Sequence, residues 1–251
     1  MKRCENESCG KTRKWRNTGK LDKHGAVIRQ CMYCGHLQAE PPPVGANLSK
    51  RIFYYDIETA TMTLKVETFG LRMYSKYLNH KDIVRPTTLL CWAGVWIDNG
   101  KMGKVFGESV TPTGAKRGND KRCAKKLRDE MNKADYIVGH NSKAFDTKKA
   151  HLRFILNGIK SPDLTVKQHD TLALAKKYFK NDSNALDYWL HSFGDTGKDH
   201  MTYDDWVECK AGNEKALKKM FKYCKGDVKR GAGVLLNFES YLAGGGITLF
   251  K

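Results

Sequence analysis

The chain has 251 residues, 40% of them hydrophobic, and a formal net charge of +18. That length accommodates one sizeable α/β domain with a small appendage, and the apolar content allows a packed core. Apolar runs such as 88–97 fall well short of the roughly 20 residues that cross a bilayer, and the start Met1-Lys2-Arg3-Cys4 has no apolar signal core. These features exclude a membrane partner and lead to the expectation of a soluble, cytoplasmic protein. Excess positive charge attracts polyanions and speeds their encounter, so nucleic acid is the expected partner. A lysine-rich solvated surface is the plainer reading of the same number.

The first 40 residues are basic and poor in aliphatic side chains. They hold Cys4-x4-Cys9 and Cys31-x2-Cys34, followed by Gly10 and Gly35. Zinc asks for four soft or borderline ligands in a tetrahedron. Two tight turns with two thiolates each meet that need, and a glycine after the second cysteine permits the positive φ of such a turn. The pairs flank a basic stretch able to form a hairpin, and the whole resembles a zinc ribbon holding one structural Zn²⁺. Four thiols in a flexible tail is the alternative, and His24 and His36 are substitute ligands. So small a module buries almost nothing, so folding is expected only with metal. Glu40-Pro41-Pro42-Pro43-Val44-Gly45 then reads as a stiff, extended linker. The expected division is a ribbon over 1–40, a linker over 41–47 and a second domain over 48–251.

Beyond the linker, 51–57 is β-branched and aromatic and predicts a buried strand. A second strand is predicted over 89–97, with 104–106 beside it as a hairpin after Asp98-Asn99-Gly100. Cys123, Leu127 and Met131 have helical spacing over 121–133. A short strand over 136–138 follows, then helices over 144–156, 171–179, 184–192 and 213–238. Strands first, then helices alternating with a strand, predict a mixed sheet flanked by helices. The run 116–128 holds seven Lys/Arg residues against Asp120 and nearby Asp129; it is a weak pointer to a DNA path, and a solvated helix face has the same composition. Cys91, Cys123, Cys209 and Cys224 sit singly among apolar or helical neighbours and read as small core residues.

Three acidic segments stand out in this basic chain. Asp56 and Glu58 end the first strand of the second domain; two apart, they point to one face and make a hard-oxygen site suited to Mg²⁺ or Mn²⁺. His140-Asn141-Ser142-Lys143-Ala144-Phe145-Asp146 follows the strand over 136–138 and opens a helix, whose dipole favours Asp146 in the first turn. Tyr223 and Asp227 are four apart on a predicted helix and share a face. Gly226 inside that helix costs about 1 kcal/mol and hints at a close approach. Each segment alone has an ordinary structural explanation: a solvated strand end, a capping acid, a common helical pair.

In order, Asp56-Ile57-Glu58-Thr59, Asn141-x3-Phe145-Asp146 and Tyr223-x3-Asp227 resemble the three exonuclease motifs of the DEDD superfamily. The tyrosine identifies the DEDDy branch, which includes the proofreading domains of DNA polymerases. His169-Asp170-Thr171-Leu172 is similar to a segment between the second and third motifs of family-B-like members. The resemblance covers roughly 48–235 and implies an RNase H-like mixed five-stranded sheet, with no polymerase domain after the third motif. It further implies a stand-alone 3′→5′ exonuclease of the sort phages encode beside a separate polymerase or other replication protein.

By the same resemblance the reaction is two-metal hydrolysis of DNA phosphodiesters, single strands preferred, with Mg²⁺ or Mn²⁺. Asp56 is implied to bridge both ions, Glu58 and Asp227 to complete one site, and Asp146 to support the second through water. Tyr223, with an ordinary phenol pKa near 10, is too weak an acid to serve as a base and is assigned to orienting the attacking water. Thr59 and Asn141 match positions that hold the terminal nucleotide, and Lys143 is placed on phosphate by charge alone. Phe145, Tyr188 and Trp189 read as core aromatics with base stacking as the alternative. Competing readings are an exoribonuclease on the same fold, a structure-specific endonuclease of the wider RNase H-like group, and an adaptor that binds nucleic acid through the ribbon.

Overall fold

A computed structural model describes residues 9, 15–21, 27–31, 33–34, 36–40, 50–65, 80–163, 165–195 and 200–250. The expected linker, 41–47, lies outside them. The chain divides into two compact units, Met1–Ser49 and Lys50–Lys251.

In the first unit, β1 (Trp15–Leu21), β2 (Val27–Cys31) and β3 (Leu37–Glu40) form an antiparallel sheet in that order. The turn after β2 is closed by Cys31 N–H donating to His36 C=O at 2.9 Å.

In the second unit the central strand is β4 (Ile52–Thr59), with Ile52–Tyr55 buried on both faces. β7 (Leu89–Asp98) runs antiparallel to it, while β10 (Tyr136–Gly139) pairs parallel with β4 on its other side, and β11 (Lys167–Asp170) pairs parallel with β10. β8 (Lys101–Met102) pairs with the end of β7, and β9 (Phe106–Ser109) pairs with Cys91–Gly94 nearer its start. The two share one edge of β7, so six strands fill five positions. The predicted hairpin partner at 104–106 is thus split around Gly103, whose N–H bonds Trp96 C=O at 2.9 Å. A separate pair, β5 (Thr63–Leu64) and β6 (Ile83–Arg85), follows β4.

The helices are α1 (Pro112–Arg117), α2 (Lys121–Met131), α3 (Asp146–Leu156), α4 (Thr171–Tyr178), α5 (Leu186–Ser192), α6 (Tyr203–Ala211) and α7 (Glu214–Gly244). Alternation along β4 sorts them. Tyr55 meets Thr147 of α3 through a 2.7 Å hydroxyl contact, and Trp92, in register with Ile57, donates its indole N–H to Cys123 C=O of α2. α2 and α3 therefore cover the face of Tyr55 and Ile57. Tyr54 and Asp56 face α7 instead. Gly231 lies against Tyr54: a Cβ there would stand 2.2 Å from the Tyr54 hydroxyl, so the helix can rest on the sheet only because that position is glycine. The close approach expected at Gly226 is of another kind, since a Cβ there would meet the guanidinium of Arg230 at 2.9 Å, the far end of a flexible side chain.

Mixed pairing in the order β11-β10-β4-β7-β8 with helices on both faces makes the unit an α/β, RNase H-like fold. One buried ion pair ties its layers. Asp120, 1% exposed, accepts from Arg153 Nε at 2.6 Å, from Asn157 at 2.7 Å and from Leu89 N–H at 2.7 Å. It thus clamps α2 and α3 to the start of β7. Among the described residues, no helix is long and apolar enough to cross a membrane.

Candidate functional site

The acidic residues come together where β4 ends. Asp56, Glu58 and Cys224 present ligand atoms within 4.8 Å of one another. Asp146, the first residue of α3, is aimed at the same place because its carboxylate accepts from Ile57 N–H at 3.3 Å and the neighbouring Thr147 is tied to Tyr55. Asp227 enters from α7, where it accepts from the Tyr223 hydroxyl and pairs with Arg230 at 3.2 Å. One helical turn separates Tyr223 from Asp227, which is why their side chains meet.

Electrostatics records the crowding. Burial, and then the charges of Glu58, Asp146 and Asp227, push the Asp56 carboxyl well above the usual carboxylate range. Burial also pushes Asp146 up to about 6, against hydrogen bonds from Ile57 N–H, its own N–H and the Asp56 side chain. Both shifts favour the protonated carboxyls when no cation balances the cluster. Burial and the Asp227 carboxylate raise the Tyr223 phenol. The Cys224 thiol lies 3.8 Å from the Asp56 carboxylate, and burial together with the adjacent Cys91 holds it well above its ordinary value. Cys91, Cys123, Cys209 and Cys224 are all buried, as core cysteines should be. Cys224 is in addition a neutral donor facing the acids, which nothing in its sequence surroundings signalled.

A loop from 140 to 145 leads directly into Asp146. Asn141 has φ 61°, a left-handed conformation that a non-glycine residue adopts only when held. Asp170, at the end of β11 and 5% exposed, holds it. Its carboxylate accepts from Asn141 N–H at 2.9 Å and Lys143 N–H at 3.0 Å, while capping α4 through Leu172 N–H at 2.9 Å. Beside it, the Thr171 hydroxyl meets His140 Nδ1 at 2.9 Å. Gly139 admits the tight turn, because a Cβ there would come 2.8 Å from Tyr55 C=O. In the sequence Asp170 stood out only within His169-Asp170-Thr171-Leu172, the segment between the second and third motifs; its capping of α4 and its hold on the loop came from the structure.

Asn141 and Lys143 are exposed on this loop, and Thr59 closes β4 partly exposed, in register with Leu89. Phe145, read from the sequence as core, is 43% exposed, with Lys149 Nζ 5.8 Å from its ring centre. Tyr188 is likewise at the surface, whereas Trp189 is buried against Phe179 and Phe238.

In the first unit, Cys9, Cys31 and Cys34 offer sulfur atoms within 4.8 Å of one another, with Cys9 and Cys31 3.9 Å apart. Cys31 is buried and Cys34 exposed. Cys4, the fourth expected ligand, lies outside the described residues.

No family model and no curated protein matches the sequence. Among solved structures, the chain is similar to the family B DNA polymerase from the hyperthermophilic archaeon Pyrobaculum calidifontis, with 16% identity and a TM-score of 0.52 over 88% of this chain. It spans 28% of that polymerase's length. At such identity the likeness is one of fold: an RNase H-like mixed sheet flanked by helices.

Proposed function

We propose that the chain is a metal-dependent 3′→5′ exonuclease of the DEDDy type that hydrolyses DNA from its 3′ end, single strands preferred. In this reading residues 48–251 are the nuclease domain, 41–47 a linker and 1–40 a zinc ribbon. One observation carries the proposal: four carboxyls and a tyrosine from three separate segments converge at one strand end in a chain of net charge +18.

The donor set fits hard divalent cations. Acids forced together compete for protons, a conflict that Mg²⁺ or Mn²⁺ relieves with oxygen ligands. Asp56, Glu58, Asp146 and Asp227 would hold two ions. When bound, these would supply charge stabilisation for the phosphate and a nucleophile at neutral pH. The Cys224 thiol lies 3.8 Å from the Asp56 carboxylate; Mg²⁺ and Mn²⁺ prefer oxygen ligands, so the proposed ligand set is the four carboxylates. Tyr223 keeps its proton near neutrality, so it orients the attacking water by a hydrogen bond and takes no proton from it. Thr59 and Asn141 grip the terminal nucleotide, Lys143 meets a phosphate, and exposed Phe145 offers a face for stacking. The thiolate set of Cys4, Cys9, Cys31 and Cys34 suits one structural Zn²⁺. The setting in this reading is cytoplasmic, phage-type DNA replication or processing beside a separate polymerase.

Digestion of 3′-labelled DNA and RNA oligonucleotides, single- and double-stranded, with Mg²⁺, Mn²⁺ or EDTA tests this. Single-stranded DNA is expected to shorten stepwise from its 3′ end, and Asp56→Ala or Asp227→Ala to abolish the activity without loss of fold. Equal activity of variant and wild type overturns the site assignment. Faster loss of RNA moves the reading to an exoribonuclease, and cleavage of a closed circular strand to an endonuclease.

A further inference from the structure

The basic run over 116–128 occupies the last turn of α1 and the first two turns of α2. Lys116, Arg117, Lys121 and Lys125 are exposed, and among the described residues none makes an ion pair or side-chain hydrogen bond. Arg122 and Lys126 both turn to one acid, Glu108, at 2.9 and 2.6 Å. The other acid of the run, Asp120, is buried and consumed by Arg153. Thus Lys121 faces Lys125, and Arg122 faces Lys126, at i,i+4 spacing, where like charges repel. Between Lys116 and Arg128 no exposed acid is interleaved; Asp129 and Glu130 follow only in the last turn of α2, four residues after Lys125 and Lys126.

Its location is as informative as its charge. Asp120, immediately before α2, takes the N–H of Leu89, and Leu89 lies in register with Thr59, the residue after Glu58. The tract therefore begins at the site's end of the sheet, one strand spacing (about 4.8 Å) and one aspartate side chain beyond Thr59. A depression of about 210 Å³ lies along it, lined by Thr111, Thr113, Asn119, Arg117 and Arg122, and by Glu108, whose charge Arg122 and Lys126 balance. Such hydroxyl, amide and guanidinium groups are donors that phosphate oxygens accept.

We propose that the α1–α2 surface carries the DNA strand that leads to the carboxylate site, holding phosphates upstream of the 3′ end through Lys116, Arg117, Lys121 and Lys125. This rests on the exonuclease reading. The test replaces those four by Gln, which keeps helix propensity, and compares a control in which exposed Lys160, Lys176, Lys180 and Lys215 become Gln. Both lose the same net charge. Binding is measured by fluorescence anisotropy with Ca²⁺ in place of Mg²⁺, across a salt series, for a tetranucleotide and for a single strand about 20 nucleotides long. Each lost phosphate contact flattens the plot of log K against log salt by about 0.7, so four lower the slope by up to roughly 3 and weaken binding at 0.1 M salt by up to about 600-fold. The loss is expected for the long strand, at least about tenfold greater than for the tetranucleotide, and much smaller in the control. Equal losses in the two variants, or none in the first, overturn the proposal. If the wild type hydrolyses neither oligonucleotide in Mg²⁺ yet the binding contrast persists, the tract stands and the exonuclease reading falls.

Discussion

Asp170→Ser separates two jobs done by one carboxylate. Aspartate at this position caps α4 and also receives Asn141 N–H and Lys143 N–H. Serine is about as good a helix cap, but its short side chain cannot reach the loop. Two charge-assisted hydrogen bonds are lost, each contributing about 1.5–3 kcal/mol when buried. Here the loop side is partly open to water, which replaces part of the loss. A net of about 2 kcal/mol follows, a factor of roughly 30 in how often Asn141 keeps its left-handed conformation. If Asn141 grips the terminal nucleotide, kcat/KM for a 3′-labelled single strand falls about 10–30-fold, while the melting temperature moves by only a few degrees. Hydrogen exchange at the Asn141 and Lys143 amides reports the loosening without reference to activity. Asn141→Ala should produce a similar kinetic loss, and the double variant should be no worse than either, because both act through one contact. Wild-type kcat/KM in Asp170→Ser, or full additivity with Asn141→Ala, would refute the reasoning.

Tyr223→Phe removes the phenol that donates to Asp227; kcat is expected to fall by about tenfold to a hundredfold with KM within roughly threefold, and an unchanged kcat removes the tyrosine from the reaction. In Mg²⁺-free buffer the folded chain keeps a proton on Asp146 up to about pH 6, whereas the unfolded chain releases it near 3.8. Since the folded state then binds more protons, this group's contribution is present at low pH and is lost as pH rises through that window, by roughly 3 kcal/mol at most. Added Mg²⁺ or Mn²⁺ should therefore raise the melting temperature more at pH 7 than at pH 5, and thermal scans showing equal gains contradict it. Elemental analysis is expected to find about one zinc per wild-type chain and much less in Cys31→Ser; a metal-free wild type dismisses the ribbon.

The sequence by itself determined the order of elements and the places where chemistry begins. β4, β7, β10 and the start of α3 were legible because β-branched runs, period-3.6 spacing and turn residues act over a few neighbours. The acids were legible because each stands at an element end or on a defined helix turn. β11, α1 and α6 were not, since Lys167–Asp170 is polar and its partner strand lies 31 residues earlier. The tertiary structure alone decided the rest. It gave Asp170 to a loop 29 residues away, set the Cys224 thiol beside Asp56 across 168 residues, turned Phe145 to the surface and made Gly231 the seat for Tyr54. The reason is physical: backbone propensity is a local property, while hydrogen-bond partners, burial and the repulsion that raises Asp56 exist only between groups that packing brings together.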